Sequence, residues 1–157
     1  MQGKMARIGI GLVLGAVLVG CGGDSGKEPT IRTIRVVEHA DTDVTTDNAP
    51  PGDSVGDILT FANALFDESN TRQVGTNQGY CVRVVVGQSY ECMWTAFFEE
   101  GQLMVEGPFF DTKGSTLAIT GGTGDFEGAR GQMQLEFRNS QGTEFNFIYQ
   151  VLLDPEL

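Results

Sequence analysis

The chain holds one histidine and three cysteines, which bounds nucleophilic and metal chemistry before any fold is considered. His39 has no matching serine or cysteine motif and no further ligands, so neither a catalytic triad nor a zinc site can be assembled around it. It reads as a strand-end or surface residue. Asp41, Asp43 and Asp47 crowd one loop, but the calcium-loop order with its glycine and terminal glutamate is missing. A solvated acidic loop is expected there. The stretch from Leu117 to Gly131 is rich in glycine yet lacks the lysine of a phosphate loop. Its Gly128 comes one residue too late for a dinucleotide fingerprint, and Asp125 and Glu127 would repel a pyrophosphate. It reads as a structural corner after a strand, plugged by Phe126. Asn63 needs a different explanation. Read as strand, it shares a face with Leu59 and Phe61, and an amide between apolar neighbours requires a partner. Glu38 on the first strand, directly or through a water, is one candidate; a backbone group or a bulge is the other.

These side chains must be carried by elements, and the ends of the chain set the frame. Residues 1–20 combine Lys4 and Arg7 with an apolar run from Ile8 to Gly20, too short to span a bilayer comfortably, which is the pattern of a signal peptide. The run ends Leu18-Val19-Gly20-Cys21, which resembles the lipobox of bacterial lipoproteins and implies lipid attachment at Cys21. Residues 21–30 then form a short polar tether, and residues 31–157 one domain. The expected location is the extracytoplasmic side of the cell envelope, anchored to a membrane. The net charge is −11; removal of residues 1–20 takes away Lys4 and Arg7 and no acids, leaving 8 basic against 21 acidic residues, or −13. A nucleic-acid partner is excluded on that charge, and no basic patch assists membrane binding.

The domain reads as strands. Ile31–Glu38 is β-branched, and Asp57–Asp67 is apolar on both faces, with a short helix as the alternative. Gln73–Val86 and Ser89–Phe98 flank a turn at Gly87-Gln88. A two-residue loop at Val86-Gly87 would set Cys81 opposite Cys92, within reach of a disulfide in an exported protein. Arg83 shares the inward side of Cys81 and has no explanation at this level. A turn at Glu99–Gln102 leads to Leu103–Phe110, then Ser115–Thr120, the glycine corner, Gln132–Arg138 and Glu144–Leu153. About eight strands with short turns and no convincing helix make an all-β domain, an eight-stranded antiparallel up-and-down barrel able to hold side chains or one small ligand.

Gly56-Asp57-Ile58-Leu59, Phe61-Ala62-Asn63, Val74-Gly75, Gly79-Tyr80-Cys81-Val82, Val105-Glu106-Gly107-Pro108-Phe109 and Leu117 to Gly131 resemble, in order, the motifs of plant allene oxide cyclases. The corner Gly122-Thr123-Gly124 with Phe126, Ala129, Arg130 and Gly131 is also similar to that of dirigent proteins, which share the barrel. The resemblance implies a homotrimer that needs no cofactor or metal and takes an apolar small molecule, a fatty-acid epoxide or polyene, as substrate. It implies Glu38 and Asn63 as the catalytic pair, with Leu59, Phe61, Cys81, Pro50 and Phe109 against the substrate; Cys81 is then a free cavity thiol. Ala40 stands where the cyclases have a second asparagine, and Ala49-Pro50 where they have Ser-Pro. Two functions follow from this reading: an isomerase or cyclase, or a non-catalytic lipocalin-like or dirigent-like barrel that binds an apolar molecule.

The lipobox generates the first prediction. Acyl chains supply membrane affinity that an acidic domain cannot replace, so Cys21→Ala is expected to move the protein from the membrane pellet to the soluble fraction. Equal sedimentation of variant and parent would remove the anchor.

Overall fold

In a computed structural model, residues 29–153 are described; the signal peptide, Cys21 and most of the tether lie outside the described residues. The elements are β1 (Thr30–His39), β2 (Val44–Thr46), β3 (Ile58–Asp67), β4 (Gln73–Val85), β5 (Ser89–Phe98), β6 (Gly101–Phe110), β7 (Ser115–Gly124), β8 (Arg130–Phe137) and β9 (Glu144–Leu153). Sequential strands pair antiparallel from β3 to β9, β9 pairs β1, and β1 returns to β3. The barrel is therefore closed with eight strands, and no full-length edge is left to aggregate. The segment around Asn63 is strand, which settles the helix alternative, because both of its neighbours supply ladders to it.

The additional strand β2 continues β1. Both lie along one edge of β3: His39 faces Ala64 and Val44 faces Thr60, five steps on one chain against four on the other. Ala40–Asp43 thus form a bulged strap between two pieces of a single interrupted strand. Here the sequence expectation of a plain acidic loop is corrected in part.

Alternate residues point inward. Val36, Leu65, Ala96, Leu103, Val105, Leu117, Met133, Leu135, Phe147 and Val151 form the buried interior with Trp94 and Tyr149. Gly79 opposes Trp94 in the ladder. A Cβ at Gly79 would run into the Met93 carbonyl and the Trp94 side chain, so this bare position lets the indole occupy the interior. The glycine corner comes later than the sequence suggests. β7 runs on through Gly124, and the turn follows at Asp125–Gly128. Gly122 has no room for a Cβ between the Phe126 and Gln102 carbonyls, so glycine here serves close strand approach as well as turning. Phe126 is fully buried beneath it.

The β4–β5 hairpin corrects a second detail. Its loop, Val86-Gly87-Gln88, has three residues, and a register shift between Arg83 and Val85 absorbs the extra one. Cys81 then faces Cys92, and a disulfide joins them. The free cavity thiol implied by the resemblance is thereby overturned. Arg83 also finds its explanation: its guanidinium donates to both carboxylate oxygens of Asp111 at 2.8 Å. Its Nε lies 2.7 Å from Asp53, and the group stacks over Tyr90 at 3.7 Å. A buried cation survives because two acids and an aromatic face surround it.

Denatured, unreduced protein is expected to show no free thiol at Cys81 or Cys92. Replacing both with alanine should lower stability by about 3 kcal/mol through the released loop entropy, measured by denaturant unfolding. Two titratable thiols at these positions would contradict the bridge.

Candidate active site

Glu38 is the last inward-facing residue of β1 and is 6% exposed. An isolated carboxylate in such a place is costly, and amides from the next two strands reduce the cost. Asn77 Nδ2 donates to Glu38 Oε1 at 2.6 Å, and Asn63 Nδ2 donates to the same oxygen at 3.1 Å. Asn63 on β3 and Asn77 on β4 are directly opposite each other in the ladder. The two amides therefore form one cradle around the Glu38 carboxylate. Burial raises the Glu38 pKa from the ordinary 4.5 to about 7; the Asn77 and Asn63 bonds oppose that rise, and Asp43 adds to it.

Asn63 does more than meet Glu38. Its second Nδ2 bond goes to Asp43 Oδ1 at 2.8 Å. Its Oδ1 accepts the Thr42 backbone N–H at 3.1 Å and the Thr42 hydroxyl at 2.8 Å. The Thr42 oxygen in turn accepts the Ala62 backbone N–H at 2.7 Å. Side chains thus complete the bonding where the bulged strap interrupts the ladder. Both readings of Asn63 made from the sequence, partner of Glu38 and clamp of a bulge, hold together. Asp43, carried on the strap, has its own pKa raised by burial, an effect that the Asn63 bond opposes.

These groups lie at a cavity of about 210 Å³ lined by Glu38, Asp43, Leu59, Phe61, Cys81, Cys92, Trp94 and Phe109, with Leu135, Phe137, Gly142, Phe145 and Phe147 completing it. Leu59, Phe61, Phe109 and Phe137 are only partly buried, so the cavity opens to solvent on their side. Its aromatic wall is interlocked: Trp94 stacks on Phe147 at 5.6 Å, Phe61 meets Trp94 edge-on at 5.9 Å, and Phe137 leans on Phe145 at 5.1 Å. Below the wall, Tyr149 is fully buried, and burial pushes its phenol above the ordinary range; the Trp94 indole works against this, and the Glu38 charge reinforces it. Asn77 Oδ1, Trp94 Nε1 and Tyr149 Oη are buried without a partner of good hydrogen-bond geometry.

Of the residues singled out from the sequence, Glu38, Leu59, Phe61, Cys81 and Phe109 line this cavity, and Asn63 stands one bond behind Glu38. Pro50 does not. It sits in an exposed loop after a cis peptide with Ala49, because the loop swings outward from the end of β2 and is held by Asn48, Ser54 and Asp57. His39 also points away, stacking on Phe66 at 4.2 Å and bonding Asn70 Oδ1 at 2.7 Å. Sequence reasoning did not place Asn77, Asp43, Thr42 or the further aromatics Trp94, Phe137, Phe145 and Phe147 at the site. For Asn77 a signal existed: it has the same parity as Cys81 on β4, so any strand that turns Cys81 inward turns Asn77 inward too.

A family model described as allene oxide cyclase matches residues 33–147, a span that includes the cradle, the strap and the whole cavity wall. The chain belongs to the allene oxide cyclase family. Solved structures with the same barrel include a pyocyanin demethylase, 24% identical with a TM-score of 0.64, covering 75% of this chain and all of its own. A pterocarpan synthase dirigent protein is 19% identical with a TM-score of 0.70, covering 90% and 96%. A Diels-Alderase from Streptomyces koyangensis is 15% identical with a TM-score of 0.61, covering 83% and 71%. At these identities the likeness is one of fold, and this family member's chemistry must be argued from its own residues. In this family member Ala40 supplies no amide beside the glutamate; Asn77 supplies one from β4 instead.

The raised pKa has a thermodynamic sign. Between pH 4.5 and 7 the folded state retains a proton that the unfolded state has released, so this carboxyl's contribution weakens as pH rises. The loss reaches about 3 kcal/mol above the folded pKa. Glu38→Gln keeps an oxygen for both amides and carries no charge. It is expected to gain stability relative to the parent through this window, by chemical denaturation at several pH values; a constant difference would show that the carboxylate is not buried. Asn63→Ala strips the strap and Glu38 of bonds at once and should cost about 2–4 kcal/mol in the same measurement.

Proposed function

We propose that this protein is an isomerase or cyclase acting on an unsaturated apolar small molecule, of epoxide or polyene type, held in the aromatic cavity. The observation that supports this best is the state of Glu38: a carboxyl inside the barrel, fixed by two amides, facing an apolar cavity and paired with no cation. Proteins seldom keep such a group for stability alone, since its ionised form is destabilising. With a pKa of about 7 it can donate a proton to an oxygen leaving an epoxide, or, ionised, oppose positive charge developing along a conjugated chain. Neither role needs the carboxyl to move. The amides set its oxygens in advance, and the interlocked rings limit the conformations of a bound chain to folded ones, so ring closure loses little further entropy.

The positioning work is divided. Asn77 makes the shorter bond to Glu38, while Asn63 ties Glu38 to the strap and brings Asp43 to the cavity. The full engagement of Asn63 also favours a second reading, in which the barrel binds an apolar molecule without transforming it. We further propose that the domain works at the cell envelope, held by lipid on Cys21.

Incubation with a panel of polyunsaturated epoxides, followed by chiral product analysis, tests the proposal. The parent should give one product enantiomer in excess, Glu38→Gln should lose at least about a hundredfold in rate, and both should bind with similar affinity. Bound substrate recovered unchanged from the parent across the panel would leave the binding barrel.

A further inference from the structure

The strap brings a second carboxyl to the cavity beside Glu38. Asn63 Nδ2 donates to Glu38 Oε1 at 3.1 Å and to Asp43 Oδ1 at 2.8 Å, so one amide holds both acids. The two N–H bonds of an amide diverge, which sets the carboxyls apart instead of against each other. Both line the cavity. Among the described residues no group donates to Glu38 Oε2 or Asp43 Oδ2, so each acid keeps an oxygen for a guest. Their surroundings differ. Glu38 is enclosed, whereas Asp43 stands on the exposed strap, where its proton exchanges with water.

Two neighbouring acids cannot both ionise without cost, so near neutrality the pair tends to hold one proton. The enclosed member keeps it, and the exposed member is the carboxylate. An acid and a base on one cavity suit a reaction that takes a proton at one point of a molecule and returns one at another. A carboxylate is too weak a base for an unactivated C–H bond. A hydroxyl is within its reach, because the O–H bond weakens as its oxygen forms a new bond. The apolar wall leaves little room for water beside a bound molecule, so the hydroxyl is the guest's own. We propose that Asp43 is a further catalytic residue, the base that pairs with Glu38 as acid, and that the pair closes a neutral epoxide carrying a hydroxyl to a cyclic ether. This rests on the cavity opening an epoxide, as in the proposed function, and it names the base and the group that closes the ring.

The step balances within the substrate. The O–H bond breaks toward Asp43, the hydroxyl oxygen bonds one epoxide carbon, and that carbon's bond to the epoxide oxygen breaks. The released electron pair takes the Glu38 proton. Substrate and product are isomers. Asp43 then gives its proton to water, and Glu38 regains one as the product leaves. Turnover needs Asp43 ionised and Glu38 protonated. The polar groups around Glu38 are Asn63 on β3, Asn77 on β4, Asp43 on the strap, Trp94 on β5 and Tyr149 on β9, of which Tyr149 stays protonated. Asp41 is the acid beside Asp43; it and burial outweigh the Asn63 bond and raise the Asp43 pKa above the ordinary 3.8. The rate should therefore fall at low pH as Asp43 takes up a proton, and again as pH passes about 7 and Glu38 loses its own.

5-Phenyl-4,5-epoxypentan-1-ol and its analogue without the hydroxyl, 1-phenyl-1,2-epoxypentane, test the pairing in water enriched in oxygen-18. The parent should convert the first to a cyclic ether of one ring size, with one enantiomer in excess and no solvent oxygen, and return the second unchanged. Asp43→Asn keeps an oxygen for Asn63; it should lower kcat at least about thirtyfold with little change in KM, and lose the acidic limb of the pH profile. Formate should restore part of the rate to Asp43→Ala, which the loss of a merely structural bond would not allow. Each variant's fold is verified by its unfolding transition. A parental rate or an intact acidic limb in Asp43→Asn would overturn the pairing, as would conversion of both epoxides alike, a diol carrying oxygen-18 as main product, or no conversion at all. The polyunsaturated epoxides judge the proposed function separately: their turnover, lost in Glu38→Gln but untouched in Asp43→Asn, would keep that function while this pairing fails.

Discussion

A carboxyl group inside a barrel of hydrocarbon is the constraint on which the rest of this architecture depends. Water cannot reach Glu38 freely, so the protein must supply hydrogen bonds, and two amides on neighbouring strands do so. Those amides meet one oxygen because the β3–β4 register sets Asn63 opposite Asn77. Asn63 in turn stays in place because the strap it holds gives it three further bonds, one to Asp43 and two from Thr42. The acid, the cradle and the interruption of the first strand are thus one arrangement. Moving the bulge by a residue would turn Thr42 and Asp43 to the opposite sides of the wall.

The barrel treats Arg83 and Glu38, two of its buried charged groups, in opposite ways. Arg83 is ringed by Asp53, Asp111 and Tyr90, and its charge is matched on the spot. Glu38 receives dipoles and no counter-charge. The first arrangement pins the β4–β5 hairpin to the loops beside it and has no protonation change to offer near neutrality. The second leaves a group whose state changes near neutral pH, with apolar rings beside it. This contrast separates a charge matched within the architecture from one left without a counter-charge beside a cavity.

Much of the fold was legible because period-two alternation is local: Met133, Leu135 and Phe137, or Phe145, Phe147 and Tyr149, declare their inward face with no knowledge of the partner strand. The pairing of Cys81 with Cys92 was expected from a two-residue loop at Val86-Gly87, and it holds because the register shift beside Val84 absorbs the third loop residue. What depends on contact between distant segments was not. Asp43 looks like one more acid in a polar loop until the strap is seen to fold back on β3. Thr42 looks like loop filler until it takes the Ala62 N–H. Arg83 looks misplaced until Asp53 and Asp111, far from it in sequence, arrive. Pro50 was carried to the cavity by a motif, but the loop's own length and its bonds among Asn48, Ser54 and Asp57 take it outside.

The β4–β5 hairpin carries a wider consequence. One surplus residue in its turn is taken up at Val84, on the outer surface, before the ladder reaches Cys81. The rim can therefore gain or lose a residue while every side chain below the bulge keeps its place inside. A barrel built in this way lets its loops diverge under one set of pressures and its interior under another, and lineages that share the chamber need not share the doorway.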